Sequence, residues 1–153
     1  MPQFVRESLI QAPAQAVFDF HEAPDAFARL QPPWQTTEIV QPPASLAVGT
    51  RVVLRVKLGP FWQTMEAEHI GYEPGRSFTD RLVHGPFRRW VHQHIVEPEG
   101  DRACRLRDEI DYQLPLPPFG DLFGGLFARR ELRRLFDFRH EVTRKACEAQ
   151  ERS

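Results

Sequence analysis

The sequence predicts a single α+β domain in which a curved antiparallel sheet wraps one long C-terminal helix. Three observations predict it. A run of short segments with period-two alternation fills the middle of the chain, and tight turns join them. Two short helical segments precede that run. One long segment with helical apolar spacing closes the chain.

The first segment, Gln3 to Gln11, reads as a strand. Pro13 then suits the first turn of a helix carrying Val17, Phe18 and Phe20, because proline has no N–H to leave unpaired there. A second short helix follows Pro24 through Ala26, Phe27 and Leu30. Pro32 and Pro33 end it. Glu38 to Val40 is a short strand. In Thr50 to Leu58, residues Val52, Leu54, Val56 and Leu58 share one face, with Arg51, Arg55 and Lys57 on the other. Phe61 to Tyr72 is a strand with two mixed faces, and its orientation stays open. Glu73-Pro74-Gly75-Arg76 is a turn, and Ser77 to His84 and Phe87 to Val96 are the next strands. Ala103 to Leu114 alternates most clearly, with Cys104, Leu106, Ile110, Tyr112 and Leu114 on one face. This makes about seven strands, consecutive ones antiparallel.

The closing helix is expected from Asp121, its cap, to about Ala149. Its apolar stripe is Leu126, Leu132, Leu135, Phe136, Val142 and Ala146. A helix of about 28 residues spans roughly 40 Å, so it must lie across the sheet to bury that stripe. Residues 1–150 form the one expected domain.

The 153 residues are 41% apolar and 27% charged, values of a soluble globular chain. The 12 Phe and 3 Trp suit a pocket wall as well as a core. A net charge of −1, from 20 basic and 21 acidic residues, argues against a nucleic-acid partner. No apolar run is long enough to insert into a membrane, and the N-terminal stretch lacks the pattern of a secretory leader. Cys104 and Cys147 have neither metal-ligand nor disulfide spacing. They are expected to be reduced thiols of a cytoplasmic protein.

Several stretches carry a family resemblance. Glu7-Ser8-Leu9-Ile10-Gln11-Ala12-Pro13-Ala14-Gln15-Ala16-Val17-Phe18 resembles the opening of the SRPBCC superfamily, which includes the START, Bet v 1-like and polyketide cyclase/dehydrase families. Tyr72-Glu73-Pro74-Gly75-Arg76-Ser77-Phe78 resembles its strand–turn–strand signature. Gly85 to His94 and Asp108 to Pro115 resemble a bacterial branch whose members sometimes occur fused to a sugar-epimerase-like short-chain dehydrogenase. The resemblance implies a helix-grip fold with a cavity between sheet and long helix. It does not select a function, because the same fold serves carriers, receptors and enzymes.

The candidate site comes from the strands themselves. Asp108 interrupts the apolar face of its strand, and Trp90, His92, His94 and Val96 share a face of the strand before. The intervening turn, centred on Pro98 to Asp101, permits a register with His92 opposite Asp108, Trp90 opposite Ile110 and His94 opposite Leu106. A slip of two residues puts Trp90 opposite Asp108. Phe78 and Asp80 can join that face from the neighbouring strand. A carboxylate on an apolar face needs a partner, and a histidine supplies one. The pair reads as a structural bridge, as a polar spot orienting a ligand, or as an acid–base pair. The ligand-binding set is Trp34, Phe78, Trp90, His92, His94, Asp108, Ile110, Tyr112, Phe123 and Phe127. The candidates for chemistry are His92, Asp108 and Tyr112. A His-x-His plus a carboxylate also matches a facial triad for iron or a zinc site, but no third ligand has a compelling spacing, so neither metal nor other cofactor is expected. The basic run Arg129 to Arg134 reads as a solvated helix face.

Three functions follow from these readings. The first is binding or carrying a hydrophobic small molecule such as a lipid, isoprenoid or polyketide-like compound. The second is a cyclase, dehydratase or aromatase using the His–Asp pair, with Tyr112 donating a hydrogen bond. The third, by analogy alone, is a regulatory domain that partners a dehydrogenase-like protein.

Overall fold

A computed structural model describes residues 3–115 and 119–153, with backbone only for 119–123. The element order is β1 (Gln3–Ile10), α1 (Ala14–Glu22), α2 (Ala26–Arg29), β2 (Thr37–Gln41), β3 (Arg51–Leu58), β4 (Phe61–Glu73), β5 (Ser77–His84), β6 (Arg89–Pro98), β7 (Cys104–Gln113) and α3 (Phe119–Arg152). The seven strands form one antiparallel sheet in the order β1-β7-β6-β5-β4-β3-β2. The first strand thus closes the sheet beside the last, after α1 and α2 have crossed over its concave side. This is the helix-grip arrangement expected from the motifs.

Local chemistry accounts for most boundaries. Pro13 stands at the N-cap of α1, one position outside the first turn where it was expected, with extended backbone at φ −60° and ψ 147°. Gly75, at φ 75°, makes the tight β4–β5 turn that a side chain would strain. β7 alternates without exception between buried and half-buried residues, so its inner face was legible.

β4 could not be oriented from sequence because its ladder to β5 is interrupted twice, between Glu66 and Ala67 and between His69 and Gly71. The first leaves Val83 of β5 as the extra residue and keeps the parity of β4; the second inserts Ile70 into β4 and switches which parity faces inward. Gln63, Met65, Ala67 and His69 face the concave side, whereas beyond Ile70 it is Tyr72 that packs on Phe18.

The core occupies one side of the concave space. One cluster joins Ile10, Val17, Phe18, Val96, Leu106 and Cys147. A second joins Phe4, Ile110, Tyr112, Leu132 and Phe136. The buried face of α3 is Leu132, Phe136, His140, Thr143 and Cys147, spaced by about one helical turn. This corrects the expected stripe at its start, because Leu126 is 89% exposed. It also adds two polar residues that an apolar count passes over. α3 begins at Phe119, two residues before the expected cap, and Asp121 itself lies outside the residues described with side chains.

Candidate functional site

The register of β6 against β7 differs from the expected one by two residues. His94 lies opposite Asp108, His92 opposite Ile110 and Trp90 opposite Tyr112. The physical reason is the turn: Glu99 N–H donates to the Ala103 carbonyl at 2.9 Å, so the closing pair is Pro98 with Cys104. A shift of two preserves the faces, so the His–Asp group still forms, in a larger version.

Asp108 is 4% exposed and is surrounded by three imidazoles. His92 Nε2–H donates to its Oδ1 at 2.7 Å, His94 Nδ1 lies 3.0 Å from the same oxygen, and His140 Nε2–H donates to Oδ2 at 2.6 Å. Ser8 Oγ on β1 lies 2.8 Å from His140 Nδ1, tying α3 to both strands. His94 donates its other N–H to Asp80 Oδ2 on β5 at 3.0 Å, while His92 Nδ1 stands 4.0 Å from that oxygen. The rings also stack. Phe78 and His94 are 3.9 Å apart and nearly parallel, as their directly paired positions require, and His94 lies 3.7 Å from His92.

The charges follow from this packing. Burial works against the His94 imidazolium, but Asp108 and Asp80 outweigh it and push the pKa up to about 9. Burial, aided by the neighbouring His94 charge, holds His92 below the usual histidine range despite Asp108. Burial alone would raise the two carboxyls; the histidines around them reverse this, so Asp80 is lowered and Asp108 lies well below its ordinary value. His92 is therefore neutral, with Nε2–H fixed on a carboxylate and Nδ1 carrying a lone pair. That is the arrangement of an oriented general base.

A cavity of about 1230 Å³ opens beside this network, between β3–β6, α1–α2, the 42–46 loop and the first half of α3. Its wall is mostly apolar and includes Leu54, Val56, Met65, Leu82, Phe87 and Leu135. Of the expected binding residues, Trp34, Phe78, Trp90, His92, His94 and Phe127 line it. Asp108, Ile110 and Tyr112 do not. They sit one layer behind, between sheet and α3, with Ile110 and Tyr112 packed among Phe4, Leu132 and Phe136. Tyr112 and Asp108 are thus buried behind the wall, and Asp108 meets the cavity-lining residues through His92 and His94. Phe123 lies outside the residues described with side chains. Sequence reasoning missed His21, His69, His140 and Arg139. His21 and His69 donate Nδ1–H to the carbonyls of Val17 and Leu46, and burial lowers the pKa of His21 to about 4. A histidine among apolar residues at helical spacing was the available signal for His140.

Asp80, His92 and His94 each offer one ligand atom within 4.8 Å of the others, so the third ligand that spacing did not reveal comes from β5. Metal binding needs a deprotonated nitrogen on each ring. Both nitrogens of His94 lie within hydrogen-bond distance of carboxylates, so a metal on this trio would have to displace a proton from His94.

Fold and site together define a helix-grip domain with a large apolar cavity and a buried polar cluster on one wall. The chain belongs to the family described as polyketide cyclase / dehydrase and lipid transport, whose model matches residues 1–148. Similar solved structures include a norcoclaurine synthase point mutant from Thalictrum flavum in complex with a transition-state analogue (TM-score 0.73, 16% identity, 98% of this chain and 96% of that one). A START superfamily protein from Mycobacterium smegmatis gives TM-score 0.69 at 12% identity over 97% and 98%. The ZhuI aromatase/cyclase from Streptomyces sp. R1128 gives 0.63 at 15% over 97% and 92%. No curated protein sequence matches the chain.

Proposed function

We propose that this protein binds a hydrophobic small molecule in the cavity between sheet and α3, with the His92–His94–Asp80 wall orienting a polar group of that molecule. The observation that carries this reading is the open volume of about 1230 Å³ behind an apolar wall. Drug-sized ligands occupy pockets of roughly 300–1,000 Å³. Burial of apolar ligand surface supplies the affinity, at about 25 cal/mol per Å² before the costs of association. Two buried free thiols suit a reducing compartment, and we place the protein in the cytoplasm. Among the described residues no helix is long and apolar enough to cross a membrane. Native mass spectrometry of gently purified protein tests the binding reading. We expect an apolar adduct that denaturation releases; ligand-free protein that takes up no apolar probe would overturn it.

One observation favours a second reading, acid–base catalysis. His92 is neutral, faces the cavity and has its Nε2–H held by Asp108. The norcoclaurine synthase and the aromatase/cyclase share the fold and are enzymes by name. In this version His92 Nδ1 accepts a proton from a ligand in the cavity, and the Asp80 carboxylate, held by His94, accepts a hydrogen bond from a hydroxyl beside it. Turnover of an identified substrate that survives His92→Ala undiminished would exclude it.

A further inference from the structure

Among the described residues Arg139 is the arginine that lines the cavity, and the histidine network makes no use of it. It projects from the middle of α3, three residues after Phe136. Its Nε–H donates to the Leu30 carbonyl at 3.1 Å, which fixes the guanidinium beneath the end of α2. Its carbon lies 5.3 Å from the centroid of the Phe136 ring, and His92 meets the same ring edge-on at 5.1 Å. The two Nη groups make no hydrogen bond or ion pair among the described residues, neither is sealed from solvent, and the residue lines the cavity.

The nearby carboxylates do not serve as its counter-ions. Asp80 is held by His94, and Asp108 by His92, His94 and His140. Both act on Arg139 only at a distance, and burial prevails over them, disfavouring its charge. The other acids of the wall are Glu22, bonded by the Tyr72 hydroxyl, and Glu131, about 12 Å along the helix from Arg139; both are exposed. A half-buried guanidinium fixed at Nε, with both Nη groups unpaired among the described residues, fits a planar oxyanion.

Building on the binding reading above, we infer that the cavity takes an acidic amphiphile, a molecule with a carboxylate head on Arg139 and an apolar body along Leu54, Met65 and Leu82. A second polar group on such a molecule lies across Phe136 from the head, within reach of His92.

Matched probes on the intact chain test this: dodecanoate and dodecanol, each displacing the neutral dye Nile red near neutral pH. Wild type is expected to favour the carboxylate by about tenfold or more. Arg139→Gln lowers dodecanoate affinity to that of dodecanol and so abolishes the preference. Arg139→Met, which keeps packing on Phe136, does the same should the Gln variant fail to fold. Equal affinity for both probes in wild type, or a preference that survives both substitutions, overturns the head-group assignment while the cavity reading stands. Failure of Nile red and both probes to bind wild type overturns the two together.

Discussion

Asp108 takes contacts from three histidines on two elements, so its removal is felt on both sides of the core. Asp108→Asn retains the shape and withdraws the charge. Taking one partner from a buried ionic group costs about 3–5 kcal/mol, and we expect a loss of that order in urea unfolding. Because the histidines share one acceptor, their effects should not add. In a double-mutant cycle of His94→Ala and His140→Ala we expect a coupling of about 1 kcal/mol or more, while independent sites would couple by less than about 0.5. The pH dependence follows from the same contacts. His94 is raised in the folded state, so its contribution is complete below the unfolded value of 6.5 and is lost as pH rises through about 9. His92 and His21 are lowered, so folding loses stability as pH falls below 6.5, through about 4 for His21. Chemical denaturation across pH should show a maximum near neutrality, and His94→Gln should weaken the alkaline limb and also change the acid limb, because the His94 charge helps hold His92, Asp80 and Asp108 low.

At the scale of the element, α3 separates two roles along its length. Phe136 is 1% exposed, packs 5.7 Å from Phe4 and carries both His92 and Arg139 against its ring. Phe136→Ala should cost about 3–5 kcal/mol through the cavity it leaves. Leu126 was expected in the same stripe but stands in solvent, so Leu126→Ala should change stability by less than about 0.5 kcal/mol. Thermal unfolding of the two variants checks both. The helical period showed that a stripe existed. It could not show that His140 and Thr143 belong to the buried face, because a polar residue enters an apolar stripe only when a partner waits for it, here Asp108 on β7.

For the whole molecule, the sheet and α3 are held together on the β1–β7 side and diverge over β3–β5, where the cavity lies. A ligand that binds only the folded state stabilises it by mass action, about 2.7 kcal/mol at one hundred times Kd. A bound apolar ligand should therefore raise Tm. Met65→Trp, placed on the cavity wall, should reduce that rise, because the indole takes space beside the ligand. A Tm shift identical to that of wild type would place the ligand away from Met65.

Strand alternation, proline and glycine placement and helical spacing determined by themselves the α+β class, the element order and the shared face of His92, His94 and Asp108. These are local properties, since each depends on residues a few positions apart. Only the tertiary structure decided the β6–β7 register, the inward side of β4, the arrival of His140 and Arg139 from α3, and the withdrawal of Tyr112 from the wall. Each of those rests on where distant segments meet. A turn that closes one residue later or a single bulge changes that meeting, and neither alters the periodicity that a sequence displays.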